Sequence, residues 1–441
     1  MTPLRLLPLS LALGAAFAGL PARAQSLVEL YDAARVYDAN WQSAKSQYDA
    51  SVFRAEQAKA GLLPSANLSV GVSRSHLDVD TPPVDRWYGT QSATVGASQP
   101  LYRPANLATY RQGLRQAQLA ESQLAQASQE LIVRVSQAYF DVLAAQDTLA
   151  FVRAQKSAVG EQLASAKRNF EVGTSTITDT RETQARYDLV NAQEIAAEND
   201  LRVRKLALDT VVGRNNAQPT PLAVPLATPT PSPADPEAWV QQAEQNSPQV
   251  QQARTNVEIA RLEVDKAEAG HKPTVDLTAS YGIQRNAGGS STSTLENRPK
   301  AGTVGVVMNL PLFSGFATQN RIRETLSLEG KAKSDLEATR RSVAQAVRTA
   351  YFGVVSGQGQ VRALEAAEAS SQSALEANRL GYQVGVRINI DVLNAQSQLY
   401  QTKRDLAQAR YNVLLGHLRL RQANGTLQAE DLARLNVLLV K

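Results

Sequence analysis

Residues 382–394 read Tyr382-Gln383-Val384-Gly385-Val386-Arg387-Ile388-Asn389-Ile390-Asp391-Val392-Leu393-Asn394 and mark the point where one helical pattern stops and another starts. Upstream, a seam runs through Val343, Val347, Ala350, Val354, Gly357, Val361, Leu364, Glu368, Ser371, Leu375, Asn378 and Tyr382. Its spacing alternates strictly between four and three, the signature of a helix that keeps one narrow edge against another helix. Gly385 suits the left-handed residue that ends such a helix. Asn389 and Asp391 offer a cap and a first-turn carboxylate for the next one. A very long helix is therefore expected to turn sharply and run back.

The same pattern occurs once before. Leu131, Val135, Ala138, Val142, Ala145, Leu149, Val152, Lys156, Val159, Leu163, Ala166 and Phe170 occupy the matching seam. Phe170-Glu171-Val172-Gly173 answers Tyr382-Gln383-Val384-Gly385, Ala138-Tyr139-Phe140 answers Ala350-Tyr351-Phe352, and Asp179 answers Asp391. The chain is read as an internal duplication. Seam positions such as Lys156, Glu368, Asn378 and Gly357 suggest looser packing than an all-aliphatic seam.

Working outward, each long helix is preceded by a change of period from helical to two. Leu68, Val70 and Val72 alternate with polar or small residues, as do Ala93, Val95 and Ala97. In the second copy Val275, Leu277, Ala279, Tyr281 and Ile283 alternate, then Val304, Val306, Met308 and Leu310. Each half thus predicts one β-hairpin with an apolar and a polar face. Four strands cannot close a barrel alone, and open edges are a liability. Three chains would supply 12 strands, an even-numbered barrel. Soluble hairpins packed on helices fit the alternation equally. Trp87 and Tyr88 fit either interfacial anchors or packing residues.

The remaining segments complete the division. Residues 1–24 have the form of a signal peptide, with Arg5, an apolar run from Leu6 to Leu20, and Ala22-Arg23-Ala24 before a mature start at Gln25. Its removal takes away Arg5 and Arg23 and lowers the formal charge from +5 to +3, a surplus that does not argue for nucleic acid. The first repeat spans 25–217, with helices over 26–62, a hairpin about 65–100, a long helix about 104–172 and a return helix about 178–212. Leu27, Leu30, Tyr31 and Ala34 form one apolar face of the early helices, and Ala44, Tyr48, Val52, Ala55 and Ala58 another. A Pro-rich connector covers 218–236. The second repeat spans 237–427, with Trp239 and Ala243 on one helix face, a hairpin about 274–311, a long helix about 315–384 and a return helix about 390–424. Residues 428–441 form a tail. At ~1.5 Å per residue each long helix measures on the order of 100 Å.

The chain has no cysteine, which excludes disulfides, thiolate metal sites and an acylated N-terminal cysteine. His76, His271 and His417 have no metal-ligand spacing, and no phosphate loop, H-E-x-x-H or G-x-S-x-G motif is present. No enzyme activity, cofactor or metal is expected. An exported structural coiled-coil protein is the competing reading.

Several stretches resemble the TolC family of outer-membrane channel-tunnels: Gly270 to Ser280, Asn169 to Gly173, Tyr382 to Leu393, Ala409-Arg410-Tyr411-Asn412, and Glu430 to Asn436. The resemblance covers essentially the whole mature chain and lies in the order of these segments, the duplication and the Pro-rich middle. It implies a mainly α fold with a β membrane part: a homotrimer whose 12-strand β-barrel in the outer membrane continues as a coiled helical tunnel in the periplasm. It implies a passive exit duct of a tripartite efflux pump or type I secretion system, with a periplasmic adaptor and an inner-membrane pump or ABC exporter as partners. It further implies a gate of polar links from Tyr382 and Arg387 to Thr178 and Asp179, within or between protomers. Asp391 matches a ring of carboxylates at the narrowest point of the pore. Asn394 stands where the family's model member has a second Asp, so cation binding there is weakened.

Overall fold

The computed structural model describes residues 25–223 and 230–439; the expected signal peptide lies outside the described residues. The elements in order are α1 (Leu27–Tyr37), α2 (Ala39–Lys59), β1 (Ser65–Asp80), β2 (Pro83–Tyr102), α3 (Pro104–Glu171), α4 (Ile177–Val212), α5 (Pro236–Asn246), α6 (Pro248–Glu268), β3 (Thr274–Ala287), β4 (Lys300–Asn309), α7 (Ala317–Gln383), α8 (Asn389–Ala423) and α9 (Ala429–Asn436). α3 and α7 run unbroken over 68 and 67 residues. The fold is mainly helical with one antiparallel four-stranded sheet. Among the described residues no helix is long and apolar enough to cross a membrane.

Two compact units emerge, each drawing on both halves of the sequence. One takes the described residues of 1–43, 125–248 and 341–441; the other takes 44–124 and 249–340. The first is organised on the seams. Leu131, Val135, Val142, Leu149, Val152 and Val159 on α3, and Val343, Val347, Val354 and Val361 on α7, are buried. Leu27, Leu30, Tyr31 and Ala34 of α1 join Tyr139, Phe140, Leu208, Leu414 and Leu432 in one core cluster. The Tyr139 hydroxyl, held in this apolar setting, donates to the Thr220 carbonyl at 2.7 Å. The start of the Pro-rich connector is therefore not merely a spacer. The Gln25 N–H donates to the Gln218 carbonyl at 2.7 Å and the Ala223 N–H to that of Leu438 at 2.9 Å, while Leu222 packs on the core.

At Lys156 and Gly357 the seam is not loose. Lys156 reaches Glu194 at 2.6 Å and Asn191 at 2.7 Å, so its charge is paired across to α4. A β-carbon at Gly357 would stand 3.0 Å from the Val413 side chain, so glycine here marks close approach of α7 to α8. On α2, Ser51 and Ala55 are buried, whereas Val52 turns outward.

The second unit carries the sheet, in the order β1-β2-β3-β4. Its register aligns Leu68 with Val95 and Val95 with Tyr281, Val70 with Ala93 and Ala93 with Ile283, and Leu277 with Val306. Directly paired residues share a face, so one face is apolar across all four strands. The other carries Ser69, Thr94, Ser280 and their neighbours. Leu68, Val70, Val72, Val304 and Val306 are all largely exposed. Trp87 and Tyr88 fall on opposite faces, Trp87 exposed on the apolar side and Tyr88 half-buried beneath the Arg86 guanidinium. At the helical end of the strands Phe313 and Phe316 meet edge to face at 5.5 Å, both exposed.

Candidate functional site

The candidate site is the pair of turns that reverse the long helices. Both end in the same way. Gly173 and Gly385 are left-handed, at φ 78° and 77°. At the second turn the Val386 N–H reaches back to the Gly381 carbonyl at 2.8 Å and the Gly385 N–H to that of Tyr382 at 3.1 Å; Thr174 and Gly173 repeat this with Asn169 and Phe170. These paired bonds satisfy the carbonyls that a helix end leaves open.

α4 then starts with a reciprocal cap. The Thr176 hydroxyl accepts from the Asp179 N–H, and the Asp179 carboxylate accepts from the Thr176 N–H at 3.1 Å, the Thr176 hydroxyl at 2.8 Å and the Ser175 hydroxyl at 2.9 Å. Partial burial opposes ionisation of Asp179. The Thr176 and Ser175 hydrogen bonds outweigh it and hold the carboxyl below the usual aspartate value. α8 starts differently. Its N-cap is Ile388, which has no capping side chain, and Asn389 is the first helical residue. Asn389 therefore does not cap.

Asn389 is instead buried between helices. Its Nδ2 donates to the Thr183 hydroxyl of α4 at 2.7 Å, and its Oδ1 accepts from Gln162 Nε2 of α3 at 2.7 Å. Thr183 passes its own proton to the Asp179 carbonyl at 2.7 Å. This node joins three helices and went unnoticed in the sequence. A signal existed: Gln155 and Gln162, and likewise Asn389 and Gln396, are polar pairs one heptad apart on adjoining helices. In the second layer Gln155 reaches Ser397 at 3.4 Å, while among the described residues the buried Gln396 amide meets no hydrogen-bond partner. Replacing Asn389 with Ala is expected to cost about 1–3 kcal/mol, because it takes the partner from the buried Thr183 hydroxyl and from the half-buried Gln162 amide. A melt indistinguishable from wild type would remove the node from the account.

The predicted gate residues sit around this node but are not joined as a set within the chain. Thr178 is exposed, Asp179 is occupied by its own cap, and Tyr382 is half-buried against Leu375, Val392 and Leu399. The Arg387 stem folds over Gly381, where a β-carbon would meet its Cγ at 2.7 Å. The guanidinium faces Asp391 at 3.7 Å, a pair too exposed to contribute more than about 1 kcal/mol. Asn394 is exposed and accepts from Arg186 of α4 at 3.0 Å. Among the described residues no group of His, Asp and Glu side chains is arranged to hold a metal ion.

Comparison with known proteins agrees with this architecture. The family described as "Outer membrane efflux protein" matches residues 30–214 and again 239–426. The outer membrane protein TolC of Vibrio cholerae is 34% identical over 432 residues, covering 98% of each chain. The alkaline protease secretion protein AprF of Pseudomonas aeruginosa is 34% identical over 417 residues, covering 93% of this chain and 86% of that one. The crystal structure of the outer membrane protein VceC from Vibrio cholerae superposes with a TM-score of 0.76 at 20% identity, covering 90% and 96% of the two chains, and supports the fold alone. The chain belongs to the outer membrane efflux protein family: it is a transport protein of the outer membrane and not an enzyme, a passive exit duct for efflux or secretion.

Proposed function

We propose that three copies assemble into one duct, gated where the long helices turn. The observation that carries this reading is the sheet. Its edges, β1 and β4, are unpaired, and one whole face is apolar. An unpaired edge in hydrocarbon leaves each N–H and C=O unsatisfied at several kcal/mol apiece, so the sheet needs closure. Pairing β4 of one copy with β1 of the next gives a 12-strand barrel with its apolar face to lipid and its polar face to the lumen. The repeats, with the Pro-rich connector over 218–236 between them, supply two hairpins and two helix reversals per copy.

In the resting duct, Tyr382 and Arg387 of one protomer reach Thr178 and Asp179 of its neighbour. The only ion pair of Arg387 among the described residues is the weak one to Asp391, which leaves its donors available. The cap bonds of Asp179 all go to Oδ2, so Oδ1 of the ionised carboxylate remains to accept. A periplasmic adaptor, together with an inner-membrane pump or ABC exporter, supplies recognition and energy, loosening these links so that α7 and α8 splay. The unsatisfied Gln396 amide makes the second layer of α8 less firmly held than the Asn389 layer, which favours such movement.

Single-channel recording from the purified mature protein in planar bilayers tests the reading, alongside Asn394→Asp. Three Asp391 carboxylates near an axis attract cations, and a second ring one turn on strengthens that attraction. Asn394→Asp is expected to tighten block by trivalent cations about five- to thirtyfold, at roughly one to two kcal/mol for the added charges. Unchanged block removes Asp391 and Asn394 from the constriction. A folded protein that neither trimerises nor conducts returns the chain to the structural coiled-coil reading.

A further inference from the structure

The apolar face of the sheet changes character toward the hairpin turns. Beyond Val72 on β1 the same face carries Arg74 and His76; on β2 it carries Gln91, Gly89 and Trp87; on β3, beyond Ile283, it carries Arg285. Lys300 pairs with Ile283 and therefore lies on this face of β4. Three cations and an exposed Trp thus form a belt directly above the apolar band, at the end of the strands away from the helices.

The chemistry of the belt is specific. Arg74 lies over the Trp87 ring, 5.2 Å from its centroid, and His76 stacks on the same ring at 4.7 Å. Among the described residues neither Arg74 nor Lys300 enters a salt bridge. Arg285 is paired at 2.9 Å with Glu296, and both partners are about half exposed, so that pair is easily exchanged. Of the acids on this face, Asp85 is engaged by His76 at 2.5 Å, and Asp78 and Asp80 lie further toward the turn. Arg74 pairs in register with Gly89 and Gly89 with Ala287, so the row that starts at Arg74 carries only small residues, while Arg285 stands one same-face row nearer the apolar band, opposite Gln91. A β-carbon at Gly89 would meet nothing closer than 3.7 Å. The two arginine backbones stand on the order of 12 Å apart across this notch, within joint reach of their side chains.

We infer that the belt of Arg74, Trp87, Arg285 and Lys300 binds the phosphate groups of a glycolipid in the outer leaflet of the outer membrane, seated over Gly89. Guanidinium groups bind phosphate bidentately, and a Trp at that depth belongs among headgroups. The acyl chains of the same lipid run down the Val72, Ala93 and Ile283 surface, so one ligand satisfies both parts of the face. This inference rests on the barrel reading above.

Native mass spectrometry of the full mature trimer, with bis-phosphorylated lipid A as the probe, tests it. The wild type is expected to retain the lipid, and Arg74→Gln/Arg285→Gln to bind it about tenfold or more weaker, from two lost headgroup charges. Arg74→Gln alone, which among the described residues gives up no salt bridge and loses the guanidinium over the Trp87 ring, gives a smaller loss and serves if the double variant assembles poorly. Lipid A stripped of its phosphates is not retained, and millimolar inorganic phosphate does not displace the intact lipid. Equal retention by wild type and both variants, or retention regardless of phosphates, overturns the site while conductance keeps the barrel. A wild type that neither conducts nor retains lipid overturns both.

Discussion

Arg387→Ser combined with Tyr382→Phe is expected to raise single-channel conductance several-fold without lowering the melting temperature of the protein. Each chain's own contacts explain the asymmetry. Arg387 contributes little to the protomer, because its pair with Asp391 is long and solvent-exposed. Tyr382 keeps its ring against Leu375 and Val392 when only the hydroxyl is removed. On the gate proposed above, the double variant removes reach toward a neighbouring tip, where an ionised Asp179 carboxylate would make the link charge-assisted. The same links weaken in acid by a definite sign. Against its partial burial, the Thr176 and Ser175 bonds hold the folded pKa of Asp179 below its ordinary value, so the contribution of the cap is complete above about pH 4 and is lost as the pH falls through the folded value, and any link that needs the ionised carboxylate goes with it. Equal conductance in variant and wild type would keep the duct but discard this gate, leaving the Gln162–Asn389–Thr183 node as the remaining tie at the turn.

Gly425→Ala is expected to destabilise the protein by about 3 kcal/mol or more and to abolish assembly near physiological temperature. Gly425 is left-handed at φ 79°, and an added β-carbon would stand 2.4 Å from the Asn246 carbonyl oxygen and 2.6 Å from the Ser247 Cα. Those are backbone atoms at the junction of α5 and α6, so no rotamer change relieves the overlap. The Gly425 carbonyl also accepts from Gln129 at 3.0 Å, which a backbone shift would break. Gly385→Ala is the matched control. It has nearly the same φ, 77°, but open space around it, and is expected to cost only about 1–2 kcal/mol of left-handed strain. Thermal melts in detergent separate the two, and similar midpoints for both variants would refute the crowding at Gly425.

These two glycines show where legibility ends. The role of Gly385 is readable from its place after a long heptad seam, because the end of a helix is a local event. Gly425 lies in a similar position after α8, but what makes it critical is Asn246, nearly 180 residues earlier in the chain and unmarked by any local pattern. The seams, the switch from helical to two-residue period and the Asp179 first-turn carboxylate were all readable for the same reason as Gly385. Asn389 was misread as a cap because Asn at a helix start favours capping; packing between α3 and α4 turned its side chain inward. Lys156 reads as a flaw in the seam, but Glu194 of α4 pairs its charge and Asn191 accepts a hydrogen bond from it.

By itself the sequence determined where helices and strands form and which residues within each share a face, since periods of two and three and a half are set by backbone geometry. Only the tertiary structure decided which strands pair in which register, and hence that Arg74, Trp87 and Arg285 share one surface. Only it joined Gln162, Thr183 and Asn389. Pairing between distant segments depends on packing and hydrogen-bond partners that no local window of sequence contains.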